Sequence, residues 1–241
     1  MRFAVISDVH ANLESLEAVL ARVPPSDAVL CLGDIVGYGP NPNECLALVR
    51  ERATATVLGN HDVAAVDGFG IEFFNDAART AIEWTRGAID ADHVAWLDGL
   101  SYELRTDEYL MVHGAPVEYF TYILNKRTAA QAFAATDAPL VFVGHTHLAD
   151  YYALAPDGSI AHAHRQHGGT LELEPGVRYI VNAGSVGQPR DLNPDASFAT
   201  YDSDARTIVW ERVPYAFART QAKIEAAHLP ASLARRLELG R

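Results

Sequence analysis

Five short stretches of this chain carry the residue types that bind divalent cations. They are Asp8-Val-His10, Gly33-Asp34, Gly59-Asn60-His61-Asp62, His113-Gly114 and Gly144-His145-Thr-His147. First-row divalent cations take imidazole nitrogen together with carboxylate or amide oxygen. Residues at i and i+2 on extended backbone point to one side, so the spacing predicts that Asp8 converges with His10, and His145 with His147. Glycine before a ligand permits a sharp turn and a close approach to an ion. A lone D-x-H or H-x-H recurs by chance, and any single histidine is equally well explained by hydrogen bonding. What sets these segments apart is their number and that each follows an apolar run. A carboxylate buried directly after such a run is costly without a cation, which separates Asp8 and Asp34 from ordinary turn caps.

Strands must carry these segments. Residues 2–7 and 28–32 are short apolar runs and read as buried strands. Between them Asn12 can cap a helix whose Leu13, Leu16 and Leu20 share one side, and Pro24 and Pro25 end it. Strand, helix and strand over some thirty residues form a βαβ unit with a parallel pair. Asn41, Pro42 and Glu44 predict a second helix opened by a capping box. Residues 54–58 read as a third strand. Residues 72–98 are helical in pattern, with Trp84 and Trp96 expected to anchor in the core.

The second half is strand-rich. Residues 101–104, 109–113, 140–143, 150–154, 170–173, 178–182, 197–202 and 206–213 read as strands, interrupted by one clear helix near 128–135. Residues 215–228 and 231–238 form a helical tail. There is no internal repeat, linker or low-complexity stretch, so residues 1–241 read as one domain. The expected architecture is α/β: a four-layer α/β/β/α sandwich of two stacked mixed sheets flanked by helices. The chemistry-bearing segments then fall at strand ends, where open α/β sheets place ligands.

The motifs D-V-H, G-D-I-V, G-N-H-D, H-G and G-H-T-H resemble those of the calcineurin-like metallophosphoesterases. H-A-N-L-E-S-L, G-D-I-V-G-Y-G-P-N-P and N-A-G-S-V-G-Q-P-R at 182–190 look like its small, single-domain bacterial and archaeal phosphodiesterase branch, so the likeness spans most of the chain. The resemblance implies one metal held by Asp8, His10 and His147, and another by Asn60, His113 and His145, with Asp34 bridging both. It makes His61 the catalytic histidine. Every ligand position of the pattern is filled by the expected residue. The implied reaction is hydrolysis of a phosphate ester by in-line attack of a hydroxide shared by two cations about 4 Å apart. An imidazole such as His61 can supply the leaving oxygen with a proton or a positive neighbour. Asp62 either orients His61 or is structural, and orientation is the working expectation. The mixed nitrogen and oxygen donors suit Mn²⁺ or Fe first, with Zn, Co or Ni also suitable.

Composition narrows the partners. Nearly half the residues are apolar, which fits a packed globular chain, and the formal net charge is −12. An acidic surface repels polynucleotides, so small phosphorylated substrates, nucleotide-like ones included, are expected over nucleic acid. No apolar run approaches a membrane span, and Asp8 and His10 break any signal-peptide pattern. With Cys31 and Cys45 read as small buried side chains, a cytoplasmic protein is expected; a homo-oligomer is left open. Two other functions compete. One is a non-catalytic scaffold that binds partner proteins, and the other is a phosphoprotein phosphatase, which needs a groove more open than the 72–98 helices suggest.

Three other features are weaker. Arg190 and Tyr38 sit in loops expected to rim the cleft, where Arg190 could clamp a second phosphate or a carboxylate and Tyr38 could stack on a base. A surface ion pair and a packed loop anchor explain them equally well. His162-Ala-His164 has ligand spacing but no acidic partner in a recognised motif, so a surface strand is the preferred reading. Gly184-Ser185-Val186-Gly187 lacks a full nucleophile elbow.

Overall fold

Alternation along the first strand sets up the layers. In the computed structural model, which describes residues 1–241, β1 (Arg2–Ile6) sends Phe3 and Val5 to one apolar cluster and Ala4 and Ile6 to another. A strand buried on both faces must lie between two packed layers.

The first sheet has the order β3 (Ala55–Thr56), β2 (Ala28–Cys31), β1, β11 (Ala196–Asp202), β12 (Thr207–Val213), β9 (Gly169–Glu172). Its first three strands are parallel, and the others join antiparallel. The second sheet runs β4 (Glu103–Arg105), β5 (Leu110–Val112), β6 (Leu140–Val143), β10 (Arg178–Ala183), β7 (Ala149–Leu154), β8 (Ile160–His164). Here β5, β6 and β10 are parallel, and β4, β7 and β8 pair antiparallel. Phe3, Val5, Leu30, Phe142, Val181 and Trp210 fill the space between the sheets.

Helices close the outer faces. α1 (Leu13–Leu20), α2 (Pro42–Arg52), α3 (Asn60–Val66), α4 (Asp76–Ala88) and α5 (Ala91–Asp98) contribute Leu16, Leu46, Val63, Ile82 and Leu97 to the cluster over the first sheet. α6 (Lys126–Ala135) covers the second through Ala129, Ala132 and Phe133. α7 (Phe217–Ala226) and α8 (Ala231–Leu239) pack on each other and against Ala78 and Ala81 of α4. The expected four-layer sandwich is therefore present, and no helix is long and apolar enough to cross a membrane. Cys31 and Cys45 are buried free thiols, as expected.

Local details differ from the sequence reading. Asn41 makes no capping bond: its amide donates to the Glu44 side chain, Oε1, at 2.8 Å and its oxygen accepts from Lys223 Nζ of the tail helix at 3.0 Å, which leaves neither for the α2 backbone. The 72–98 segment is two helices separated at Ile89 and Asp90. Trp84 and Trp96 are only half-buried; on α4 the small Ala78 and Ala81 are the residues turned inward against the tail helices. Trp96 is covered by the Arg50 guanidinium, 5.5 Å from its ring. The buried tryptophan is Trp210, whose indole N–H donates to Asn182 O at 2.8 Å.

Candidate metal centre

Five strands deliver the candidate ligands at their C-terminal ends. β1 leads to Asp8 and His10, β2 to Asp34, β3 to Asn60, β5 to His113, and β6 to His145 and His147. The loops are tied together by main-chain bonds: Asp8 N–H donates to Gly33 O, His10 N–H to Asp34 O, and Gly144 N–H to His113 O, at 2.8–3.0 Å. The backbone is not extended here, contrary to the i, i+2 expectation. Asp8, His10, Asp34, His145 and His147 have φ of 54°, 49°, 52°, 64° and 60°. Left-handed residues other than glycine are uncommon and each costs about 1–3 kcal/mol, so five of them at one place mark a geometry imposed by the surroundings. Convergence comes from these turns rather than from pleating.

The side chains meet in two groups that share no residue, and His10, Asp34 and His61 make a third that overlaps both. Asp8, His10 and His147 form one, and Asp34, His113 and His145 the other, with donor atoms within 4.8 Å of one another in each. Asp34 lies between them: its Oδ2 is 3.6 Å from His10 Nε2 and 3.2 Å from His113 Nε2. Asp8 Oδ1 lies 3.2 Å from His147 Nε2.

Hydrogen bonds behind the rings fix their tautomers. His10, His113 and His147 each place Nδ1 against a backbone oxygen, of Val36, Leu32 and Gln188, at 3.1, 2.8 and 2.6 Å. Nδ1–H donates there, so in its neutral form each ring turns the Nε2 lone pair inward, the arrangement seen in histidine metal ligands. His10 Nε2 and His147 Nε2 then face each other at 3.1 Å as two acceptors. His113 Nε2 and His145 Nδ1 stand at the same separation. Asp8 Oδ1, Asn60 Oδ1 and His145 Nε2 are buried with no hydrogen-bond partner. Facing lone pairs and unpartnered buried oxygens are unfavourable in a protein interior unless cations occupy the space between them. The donor set therefore fits two divalent ions.

Charge in the site is set by burial and by Asp34. Burial, reinforced by Asp34, pushes Asp8 up to about 6 and Asp62 up to about 7. Burial holds His10 and His147 well below the usual imidazole range and lowers His61 to about 4 and His145 to about 3. His113 is the exception: burial opposes its charge, but the Asp34 carboxylate raises it to about 9. Between about pH 6.5 and pH 4 the unfolded chain protonates four histidines that the folded, metal-free chain keeps neutral. Asp8, Asp62 and Asp150 work in the opposite sense, but they are three groups against four. Chelator-treated protein is thus expected to lose stability as pH falls through that window. Thermal unfolding at pH 7 and pH 5 checks this, and a higher melting temperature at pH 5 would contradict it.

His61 sits beside the paired groups, not within the ligand set expected for either metal. Its ring packs 4.8 Å from His10, 4.5 Å from Tyr38 and 4.5 Å from Phe74, and its buried Nδ1 has no partner. Gly37 (φ +85°) makes the room: a Cβ there would collide with the His61 ring. Gly37→Ala is expected to cost about 1–3 kcal/mol of stability and to lower kcat by displacing His61; urea unfolding and steady-state kinetics measure both. Unchanged values would show that the ring does not depend on this contact.

Asp62 does not hydrogen-bond to His61, against the orienting expectation. Its Oδ1 accepts from Ile35 N–H and Val36 N–H at 2.8 and 3.2 Å, and Oδ2 accepts from Gly59 N–H at 3.0 Å. It pins the Asp34 and Asn60 loops together, which is the structural role considered for it. Tyr38 is buried under His10 and His61 and is not free to stack on a base. Its hydroxyl accepts from Arg190 Nη2 at 3.3 Å, and Gln188 Oε1 accepts from the same nitrogen at 3.1 Å. Arg190 has no carboxylate within ion-pair distance, so its charge is available at the cleft, and the ion-pair alternative falls away. Sequence reasoning missed Tyr122, which stacks on His145 at 3.9 Å, and Phe74. Neither lies in a motif, and only long-range folding brings them here.

Residues 1–206 match the family model of the calcineurin-like phosphoesterase superfamily domain. A metallophosphoesterase from Sphaerobacter thermophilus is 44% identical in sequence, covers 100% of this chain and 99% of its own, and superposes with a TM-score of 0.90. An uncharacterized protein of Methanocaldococcus jannaschii is 35% identical over 246 residues, 99% of this chain and 98% of that protein. A symmetrical bis(5'-nucleosyl)-tetraphosphatase of Methylococcus capsulatus is 34% identical over 122 residues, 47% of this chain and 42% of that enzyme.

Proposed function

The chain belongs to the calcineurin-like phosphoesterase superfamily, whose members hydrolyse phosphate esters, and from that premise we propose that it cleaves small, nucleotide-like phosphate esters with two divalent cations. The observation that carries this reading is Asp34 Oδ2 placed between His10 and His113, the inward nitrogens of two separate donor groups. Asp8, His10 and His147 would hold one ion, Asn60, His113 and His145 the other, with Asp34 shared. When bound, such a pair neutralises the non-bridging phosphate oxygens and acidifies a water for in-line attack. Mn²⁺ or Fe is the preferred occupant, with Zn, Co and Ni compatible with the same donors.

The remaining roles belong to the chain. His61, neutral at rest because burial lowers it to about 4, offers a ring N–H to the phosphoryl or leaving oxygen. An arriving phosphate anion favours the protonated ring and so draws a proton toward the departing group. Arg190, with its charge uncompensated by any carboxylate, orients the phosphate through paired N–H donors. Similarity to a bis(5'-nucleosyl)-tetraphosphatase over part of the chain supports nucleotide-like substrates. Phe74, just before α4, packs its ring 4.5 Å from that of His61.

An activity screen tests this. Dinucleoside polyphosphates, aryl phosphomonoesters, aryl phosphodiesters and a phosphopeptide panel are each offered with Mn²⁺, Fe²⁺, Zn²⁺, Co²⁺ and Ni²⁺. Turnover of small esters with at least one metal is expected. Preference for phosphopeptides would favour a protein phosphatase, and no turnover with any metal would favour a scaffold that binds partner proteins.

A further inference from the structure

The second sheet carries another cluster of ligand-type side chains, away from the paired groups. β7 and β8 pair antiparallel with Asp150 opposite His164 and Tyr152 opposite His162. Directly opposed residues and residues two apart share a face, so Asp150, His162 and His164 project together from one side of this edge. It is the outer side, where Tyr152 and Ile160 pack with the α6 layer.

The geometry is that of a donor set. Asp150 Oδ2 lies 2.8 Å from His162 Nε2 and 3.8 Å from His164 Nδ1, and the three donor atoms lie within 4.8 Å of one another. Metal–ligand bonds of about 2.0–2.1 Å at tetrahedral angles put neighbouring donors roughly 3.3 Å apart, between the two observed separations. The longer one exceeds a hydrogen bond, so Asp150 does not itself hold the His164 ring. Tyr152 stacks on His162 at 4.2 Å and 6°, fixing the ring that presents Nε2 to the carboxylate. Asp150 is 3% exposed while His164 lies open to solvent, which gives an ion a path to the buried oxygen.

We propose that Asp150, His162 and His164 form a third, mononuclear site for a first-row divalent cation. Two imidazoles and one carboxylate suit Zn²⁺, Co²⁺, Ni²⁺ or Cu²⁺ and not Mg²⁺ or Ca²⁺. Three protein donors leave a fourth tetrahedral position to water. The site also touches the loop of the paired groups. Asp150 pairs across the sheet with Asn182, whose Nδ2 donates to Gly144 O at 2.7 Å and Thr146 Oγ1 at 2.9 Å.

Metal counting tests the proposal without reference to the reaction. Full-length protein is stripped with chelator, reloaded with excess Zn²⁺, desalted and measured by mass spectrometry of the metal. Wild type is expected to hold one equivalent more than His164→Ala and more than the His162→Ala/His164→Ala double variant, with Mn²⁺-dependent activity unchanged in both. Equal metal content in all three overturns the site. A second arm uses Asp34→Asn/His113→Ala, which impairs the paired groups. It is expected to keep at least one equivalent and to lose one when His164→Ala is added; a variant that keeps none, or loses none on that addition, overturns the proposal whatever becomes of the phosphoesterase reading.

Discussion

Replacing His61 by alanine is expected to lower kcat on phosphate esters by about 10²–10⁴-fold, the span of a positioned acid–base group, with the metal content of the protein unchanged. The two halves of this expectation rest on different atoms. The ring is enclosed by His10, Tyr38 and Phe74 and has an unpartnered Nδ1, so its removal deletes a donor beside the cleft. The backbone contact survives, because it is the His61 main-chain N–H that donates to Asp34 Oδ1 at 2.8 Å. Asp34 thus keeps its position when the side chain is lost. Steady-state kinetics and metal analysis on the same preparation check both halves. Full activity would remove His61 from the reaction, and a loss of metal would make it a ligand or a support for one.

Asp34→Asn is expected to do more. Activity should fall by more than about 10³-fold, beyond the 10²–10³ typical of one preorganised electrostatic contact, and bound metal should fall with it. The carboxylate is 1% exposed and lies between His10 and His113, so one substitution weakens both donor groups. Three neighbouring histidines, led by His113, hold Asp34 well below the usual carboxylate range against the burial that opposes its charge. An amide keeps the shape and loses the charge, which isolates the electrostatic part of the effect. Retention of two metals per paired centre together with near-normal kcat would show that Asp34 is not shared.

These two substitutions also separate the competing functions. A scaffold that only binds partners would keep its partner affinity in His61→Ala and show no phosphoesterase turnover in the wild type.

The fold and the main donor set were legible in the sequence for a simple reason. Apolar runs such as Phe3–Ile6 and Leu140–Val143 alternate between two buried faces, which forces a sandwich, and each ligand segment directly follows such a run. Asp8, Asp34, His113, His145 and His147 are therefore placed by chain connectivity alone. What connectivity could not show was how adjacent residues turn. Extended backbone was expected at Asp8-Val-His10, whereas left-handed turns aim these ligands inward.

Side chains whose partners come from distant strands needed the tertiary structure. Asp62 stands next to His61 in sequence yet spends both oxygens on Ile35, Val36 and Gly59, because three loops meet there. His162-Ala-His164 was correctly a strand, but its carboxylate partner lies twelve residues earlier on the facing strand. Sequence alone determined which elements end in chemistry, since strand order and periodicity are local. Only the tertiary structure decided which atoms face each other, because cross-strand register and loop handedness are settled by packing.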